Sequence, residues 1–149
     1  MSTVIVRRTA EPAADLPVPP LLQRIYAARH LHCADQLNRE LRSLASPAAF
    51  MNIQSAVDLL HTALRERWRL TIVADLDADG ATSCALAVRA LRALGAAEVG
   101  YVVPNRFVHG YGLSPEIVAV AAEQRPDLLI TVDNGISSHE GVRAAQALG

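Results

Sequence analysis

Lysine is absent from this sequence of 149 residues. All fourteen basic side chains are arginine, set against fifteen acidic ones, so the formal net charge is −1. This balance gives no overall basic footprint for nucleic acid, although it does not exclude a local basic groove. Without lysine the chain cannot contain a phosphate-binding P-loop, and no G-x-G-x-x-G follows a predicted strand. The sequence therefore predicts no nucleotide cofactor.

Cysteine and long apolar runs are also scarce. Cys33 and Cys84 are far apart and form no Cys-x-x-Cys pair, which argues against a disulfide scaffold or a thiolate zinc site and favours a reducing compartment. No apolar run approaches the roughly 18 residues of a membrane span, and residues 1–10 do not have the apolar stretch of a signal peptide. We therefore predict a cytoplasmic chain with no membrane partner.

The composition that remains is that of a folded domain, with 51% hydrophobic and 19% charged residues. Residues 1–20 are predicted to be an arm and a Pro-rich linker, because four prolines fall between positions 11 and 20. Residues 21–68 are predicted to be a helical leader with three apolar stripes. The stripes are Leu21, Leu22, Ile25 and Tyr26; Leu37, Leu41 and Leu44; and Ile53, Val57, Leu60 and Leu64.

From residue 69 the pattern changes to alternating strands and helices. Residues 70–74, 99–103 and 128–132 are short apolar, β-branched runs typical of strands buried on both faces. Helical patterns follow each strand, and residues 105–113 are predicted to be a Gly-containing loop. We therefore predict an α/β fold, a parallel sheet with β-α-β-α-β-α order preceded by the helical leader.

Acidic side chains follow two of these predicted strands. Asp75, Asp77 and Asp79 alternate after the first strand, and Asp133 directly follows the third. In open parallel sheets the carboxyl ends of the strands face one crevice, so we expect the four carboxylates to lie close together. Because like charges repel and no lysine is available, a hard divalent cation such as Mg²⁺ or Mn²⁺ is the simplest compensation. The competing interpretation, a helix N-cap, is plausible for Asp79 beside Gly80.

Two other kinds of acidic site fit the sequence poorly. Residues 75–80, DLDADG, match the first half of an EF-hand calcium loop, but its twelfth position, where a glutamate is needed, is Leu86. The segment before the loop is also strand-like, whereas an EF-hand has a helix there. A receiver domain of the response-regulator type needs a lysine at a later strand end, which this chain does not have.

Three ordered motifs resemble those of a known family. Residues 73–83, VADLDADGATS, resemble the first motif of the DHH phosphoesterase superfamily. Residues 103–107, VPNRF, with 110–114, GYGLS, look like a signature of its RecJ-type single-strand-specific exonucleases, and 131–137, TVDNGIS, look like the second superfamily motif. Residues 20–29 are similar to the opening region of RecJ-type sequences.

The resemblance implies metal-assisted hydrolysis with two divalent cations, Mn²⁺ or Mg²⁺. Carried over by motif position, Asp77, Asp79 and Asp133 are implied to be catalytic metal ligands, and Asp75 an additional metal-binding or supporting acid. Many superfamily members have a histidine where this sequence has Val73, so that ligand is absent.

The implied substrate is single-stranded DNA, degraded from its 5′ end in repair and recombination, with single-strand-binding protein as a further candidate partner. Asn105 and Arg106 are candidates for substrate binding, because arginine can hold a phosphate with two hydrogen bonds. The alternatives are a surface role for Arg106 and a loop-capping role for Asn105.

The motif Asp-His-His does not occur in the 149 residues. We therefore predict that residues 69–149 are the N-terminal part of a DHH domain, without the DHHA1 and OB-fold regions, and that they are inactive alone. Two alternatives stay open. One is another DHH-superfamily phosphoesterase, acting on oligonucleotides, cyclic dinucleotides or pyrophosphate. The other is a non-catalytic remnant that only binds metal or a partner.

Overall fold

The computed structural model of the chain describes Val6 and residues 16–149. Apart from Val6, the predicted N-terminal arm and the first half of the Pro-rich linker, residues 11–15, lie outside the described residues. The chain divides into two compact units, Met1–Phe50 and Met51–Gly149, which are described separately. Within the described residues, no helix combines the length and the apolar character needed to cross a membrane.

The described part of the first unit contains one α-helix, α1 (Pro20–Ala27), followed by 3₁₀ turns at Ala34–Leu37, Leu41–Ser43 and Pro47–Ala49. The second predicted helix, with Leu37, Leu41 and Leu44 as its stripe, is therefore wrong. Its backbone leaves the helical region at Asn38, whose side chain accepts a hydrogen bond from the Glu40 N–H at 2.9 Å. This local hydrogen bond competes with helix formation, as asparagine commonly does.

The second unit is the predicted parallel α/β fold. Its three strands are β1 (Arg69–Val73), β2 (Glu98–Val102) and β3 (Leu128–Thr131). They pair in the order β2-β1-β3, and both pairings are parallel. One short helix, α4 (Arg106–His109), lies within the predicted loop 105–113, where the Asn105 side chain caps it. The elements in chain order are α2 (Ile53–Arg65), β1 (Arg69–Val73), α3 (Ala78–Ala93), β2 (Glu98–Val102), α4 (Arg106–His109), α5 (Pro115–Ala122), β3 (Leu128–Thr131) and α6 (His139–Ala147).

Strand β1 is buried because it has a neighbour on each edge and helices on each face. Its alternating side chains separate the core into two clusters. Leu70 and Ile72 pack in one cluster, with residues of α2 and α3, whereas Val73 packs in the other, with residues of α5 and α6. Each of these fully buried aliphatic side chains contributes about 1.5–3 kcal/mol of transfer free energy.

The strand order creates a switch point beside β1. The chain passes from the central strand to β2 on one side and then crosses back to β3 on the other. In open parallel sheets, such a reversal opens a crevice at the carboxyl ends of the two strands that flank it. The residues that follow β1 and β3 therefore border this crevice.

The opposite ends of β1 and β3 are fixed by a reciprocal clamp. The Asp127 carboxylate accepts hydrogen bonds from the Arg69 backbone N–H at 2.8 Å and from its Nε at 3.4 Å, and the Asp127 N–H donates to the Arg69 carbonyl at 2.9 Å. These bonds hold the pKa of Asp127 below its ordinary value, the backbone hydrogen bond being the largest cause.

We expect Asp127→Asn to lower the stability of the chain at neutral pH. A folded-state pKa below the ordinary value of 3.8 means that the charged form stabilises the fold above that pH, and that this stabilisation is lost on acidification. Urea unfolding midpoints at neutral pH and below pH 3.8 measure the effect. The two proteins should differ at neutral pH and converge in acid; an equal difference at both pH values would contradict the assignment.

Candidate metal centre

The turn after β1 places two aspartates side by side. Asp77 is the N-cap of α3, and its Oδ1 accepts a hydrogen bond from the Gly80 N–H at 3.0 Å. Helix α3 approaches the strand so closely that a Cβ at position 80 would collide with the backbone of Asp75. Glycine is therefore required there by close approach. The capping role that the sequence suggested for Asp79 belongs to Asp77.

The end of β3 is held against the end of β1 by Asn134. Its Nδ2 donates to the carbonyls of Val73 at 3.1 Å and Val132 at 2.9 Å. Between these anchored residues, Asp133 adopts a left-handed conformation with φ 59°, which aspartate and asparagine tolerate better than most residues. Gly135 follows with φ 107°. This tight turn brings Asp133 back towards the residues that follow β1.

Three carboxylates converge at this point. Asp75, Asp77 and Asp133 each offer an oxygen, and the three oxygens lie within 4.8 Å of one another. Asp75 is buried, with 4% of its side chain exposed, whereas Asp77 and Asp133 are exposed. Carboxylate oxygens in this arrangement could hold a hard divalent cation. Asp79, in the first turn of α3, is not part of this triad.

The charges of the site are unevenly compensated. Although Asp133 is exposed, desolvation of its carboxylate by the surrounding residues raises its pKa, and the neighbouring Asp77, Asp79 and Asp75 raise it further. Asp133 thus lies in a field of excess negative charge, which a bound cation would relieve. Both the excess negative charge and the carboxylate oxygens therefore favour binding of a hard divalent cation.

Arg106 supplies part of the positive charge that compensates the carboxylates, a role that the sequence pattern predicted only for a metal ion. Its Nη2 lies 2.8 Å from both carboxylate oxygens of Asp75 and 3.6 Å from Oδ2 of Asp77. On its other side the guanidinium lies 5.3 Å from the ring centre of Tyr111. The Tyr111 hydroxyl in turn donates to the Asp133 carbonyl at 3.4 Å.

The two candidates for substrate binding, Asn105 and Arg106, make different contacts in the structure. Asn105 is the N-cap of α4, and its Oδ1 accepts a hydrogen bond from the Phe107 N–H at 3.0 Å, which is the capping role that the sequence left open. Arg106 faces the carboxylate triad instead. The roles of Tyr111 and Asn134 were not predicted from the sequence, where their signal was their place in the motifs GYGLS and TVDNGIS.

The site belongs to a recognisable class, an α/β domain that gathers carboxylates at the switch point of a parallel sheet. The sequence profile described as "DHH family, N-terminal domain" matches residues 69–149, so the chain belongs to the DHH family. This confirms the superfamily resemblance.

Single-stranded-DNA-specific exonucleases RecJ are close relatives. The chain is 48% identical to the RecJ of Escherichia coli K12 over 145 residues, which is 96% of this chain and 25% of that protein. It therefore spans about a quarter of the length of the curated relatives it matches.

Two solved structures share the fold. A crystal structure of exonuclease RecJ bound to manganese aligns with a TM-score of 0.61 and 38% identity, over 70% of this chain and 26% of that one. The crystal structure of RecJ from Thermus thermophilus in complex with Mn²⁺ aligns with a TM-score of 0.56 and 33% identity, over 80% and 16% of the two chains.

We expect Asp133→Asn to stabilise the metal-free chain at neutral pH. Asparagine tolerates the left-handed backbone, and the substitution removes a charge that the neighbouring acids repel. Because the folded-state pKa of Asp133 is raised, its ionisation costs stability as pH rises, and this cost disappears towards pH 3.8. Melting temperatures in EDTA should therefore rise at neutral pH, by an amount that shrinks on acidification.

The control is Asp58→Asn, which removes an exposed carboxylate on α2 without removing charge from the triad. A lower melting temperature of Asp133→Asn in EDTA at neutral pH would show that the carboxylate is not repelled.

Proposed function

We propose that this domain carries the metal-binding strand ends of a 5′→3′ exonuclease that hydrolyses single-stranded DNA. The observation that carries the proposal is the convergence of Asp75, Asp77 and Asp133 at the switch point, beside an arginine. The RecJ relatives are named for their specificity for single-stranded DNA, and two of the solved structures contain manganese.

Mn²⁺ or Mg²⁺ is the proposed cofactor, and two such ions are expected from the resemblance. Asp77, Asp79 and Asp133 are the proposed ligands; the triad supports Asp77 and Asp133, whereas the assignment of Asp79 rests on its motif position. Bound divalent ions would supply Lewis-acid stabilisation of the phosphodiester and a more acidic water for its hydrolysis.

The chain's own residues position the substrate. The Arg106 guanidinium presents several N–H donors beside the triad, so we propose that it binds a DNA phosphate there. The exposed aromatic ring of Tyr111 supports the guanidinium from its other side. Because Asn105 caps α4 just before Arg106, we propose that it orients the arginine rather than contacting the DNA.

The biological role, the protein partner and the cellular location are proposed from the family resemblance alone. They are a role in DNA repair and recombination, single-strand-binding protein as a partner, and a cytoplasmic location. We also propose that residues 1–149 by themselves are inactive, because they contain no Asp-His-His motif to complete the metal site. We likewise propose a domain division at residue 69, supported by the DHH-family match to residues 69–149.

Metal binding is tested with Asp77→Asn, because asparagine caps helices as well as aspartate does and the variant therefore isolates the charge. We expect electron paramagnetic resonance to show Mn²⁺ bound by the wild-type chain, with an affinity that falls at least about tenfold in Asp77→Asn. Asp58→Asn, on α2, should bind as the wild type does. Equal affinity in all three proteins would exclude the triad as the metal site.

The reaction is tested with the longest natural polypeptide that contains this sequence. We expect Mn²⁺-dependent release of nucleotides from the 5′ end of single-stranded DNA, abolished by Asp77→Asn. Residues 1–149 alone should release none. Hydrolysis of pyrophosphate or a cyclic dinucleotide in place of DNA would instead identify another activity of the family.

A further inference from the structure

Asp75 differs from the other acids of the triad because both of its carboxylate oxygens accept hydrogen bonds from neighbouring protein groups. Its Oδ1 accepts hydrogen bonds from the Leu76 N–H at 2.6 Å and from Arg106, through Nη2 at 2.8 Å and Nε at 3.3 Å. Its Oδ2 accepts from Arg106 Nη2 at 2.8 Å. A carboxylate offers about four lone-pair sites, so these contacts leave few for a metal ion.

A cation bound to Asp75 would also compete with the guanidinium for the same oxygens. The Arg106 Nη2 lies 2.8 Å from both oxygens, and only 4% of the Asp75 side chain is exposed to solvent. Two cations on one buried carboxylate repel each other, and burial reduces the screening of that repulsion. Asp77 accepts one hydrogen bond from the Gly80 N–H and lies 3.6 Å from Arg106 Nη2, but Asp77 and Asp133 are both exposed, so an incoming ion can reach their carboxylates.

The electrostatics of the two ends of the triad agree with this division. The Arg106 Nη2 lies 2.8 Å from both oxygens of the buried Asp75 carboxylate, whereas Asp133 forms no salt bridge with any of the described residues. Asp75 therefore already has its counter-ion, and the uncompensated charge lies at the Asp133 end.

The pair also fixes where the guanidinium lies. Arg106 is held on one side by Asp75 and on the other by the ring of Tyr111, and its Nη2 remains 3.6 Å from the Asp77 carboxylate. Its side chain is 43% exposed, so it is accessible to a ligand while it is anchored. A guanidinium anchored in this way loses less conformational entropy when it binds a phosphate.

We propose that Asp75 is a positioning residue that holds Arg106 beside the metal centre, and that it is not itself a metal ligand. This replaces its predicted place among the ligands and rests on the proposed function for the identity of the bound phosphate. The metal is then held by Asp77 and Asp133 with other ligands, and Asp75 acts on the substrate through the arginine.

The first test needs no substitution. In the metal-free chain, the side-chain N–H resonances of Arg106 should report a guanidinium held by a carboxylate. Saturation with Mg²⁺, which is diamagnetic, should shift resonances of Asp77 and Asp133 and leave the Arg106 pairing intact. Loss of that pairing when Mg²⁺ binds would show that Asp75 joins the metal, and would overturn the proposal.

The second test compares Asp75→Asn, Asp77→Asn and the control Asp58→Asn. Asp75→Asn should leave Mn²⁺ affinity unchanged and weaken binding of a 5′-phosphorylated single strand about tenfold, the scale of one lost charge-assisted interaction. Asp77→Asn should show the opposite pattern, in which the affinity for Mn²⁺ falls more than the affinity for the single strand. An equal loss of Mn²⁺ affinity in both variants would refute a positioning role.

A double-mutant cycle separates positioning from general loss of structure. Arg106→Gln should weaken DNA binding as much as Asp75→Asn does, and the double variant should lose no more than either alone. Additive losses would contradict the proposal. Failure of the proposed function would give a different result, because the wild type would then bind neither Mn²⁺ nor single-stranded DNA. The Arg106 resonances would still show whether Asp75 holds the guanidinium.

Discussion

The hydrogen-bonded ladder between β1 and β3 brings Asp75 and Asp77 within reach of Asp133, although the two groups are far apart in the sequence. Because both strands are parallel and adjacent, their carboxyl ends meet at one edge of the sheet. The ladder is clamped at its start by Asp127 and at its end by Asn134. The geometry of the carboxylates therefore depends on a pairing that contains no acidic residue.

Bringing these acids together has an electrostatic cost that the chain offsets in two ways. On the buried side, Arg106 neutralises Asp75 with hydrogen bonds to both of its oxygens. On the exposed side the cost persists, as the raised pKa of Asp133 shows. A stable fold with residual negative charge at one end of a crevice is suited to binding a cation, since binding relieves a repulsion that the fold already contains.

The strands and most helices of the second unit were predictable because their signals are local. A continuous apolar run predicts a strand buried on both faces, and β1 satisfies that prediction because helices cover both of its faces. The second helix of the leader was not predictable from its apolar spacing. The backbone is extended at Asn38 and Glu40, which prevents a continuous helix despite the apolar spacing. Such turns depend on local hydrogen bonds, which cannot be inferred from the spacing of apolar residues.

The carboxylates of the site were visible in the sequence, because alternating acids after a buried strand are unusual and the family motif reinforces them. Their division of roles was not visible. The sequence alone determined the parallel α/β class, the family and the presence of an acidic cluster, because these follow from local patterns and motif order. The pairing of Arg106 with Asp75 and the junction that Asn134 makes between two strand ends became evident only in the folded structure, because each contact joins groups that are far apart in the sequence and are brought together by packing.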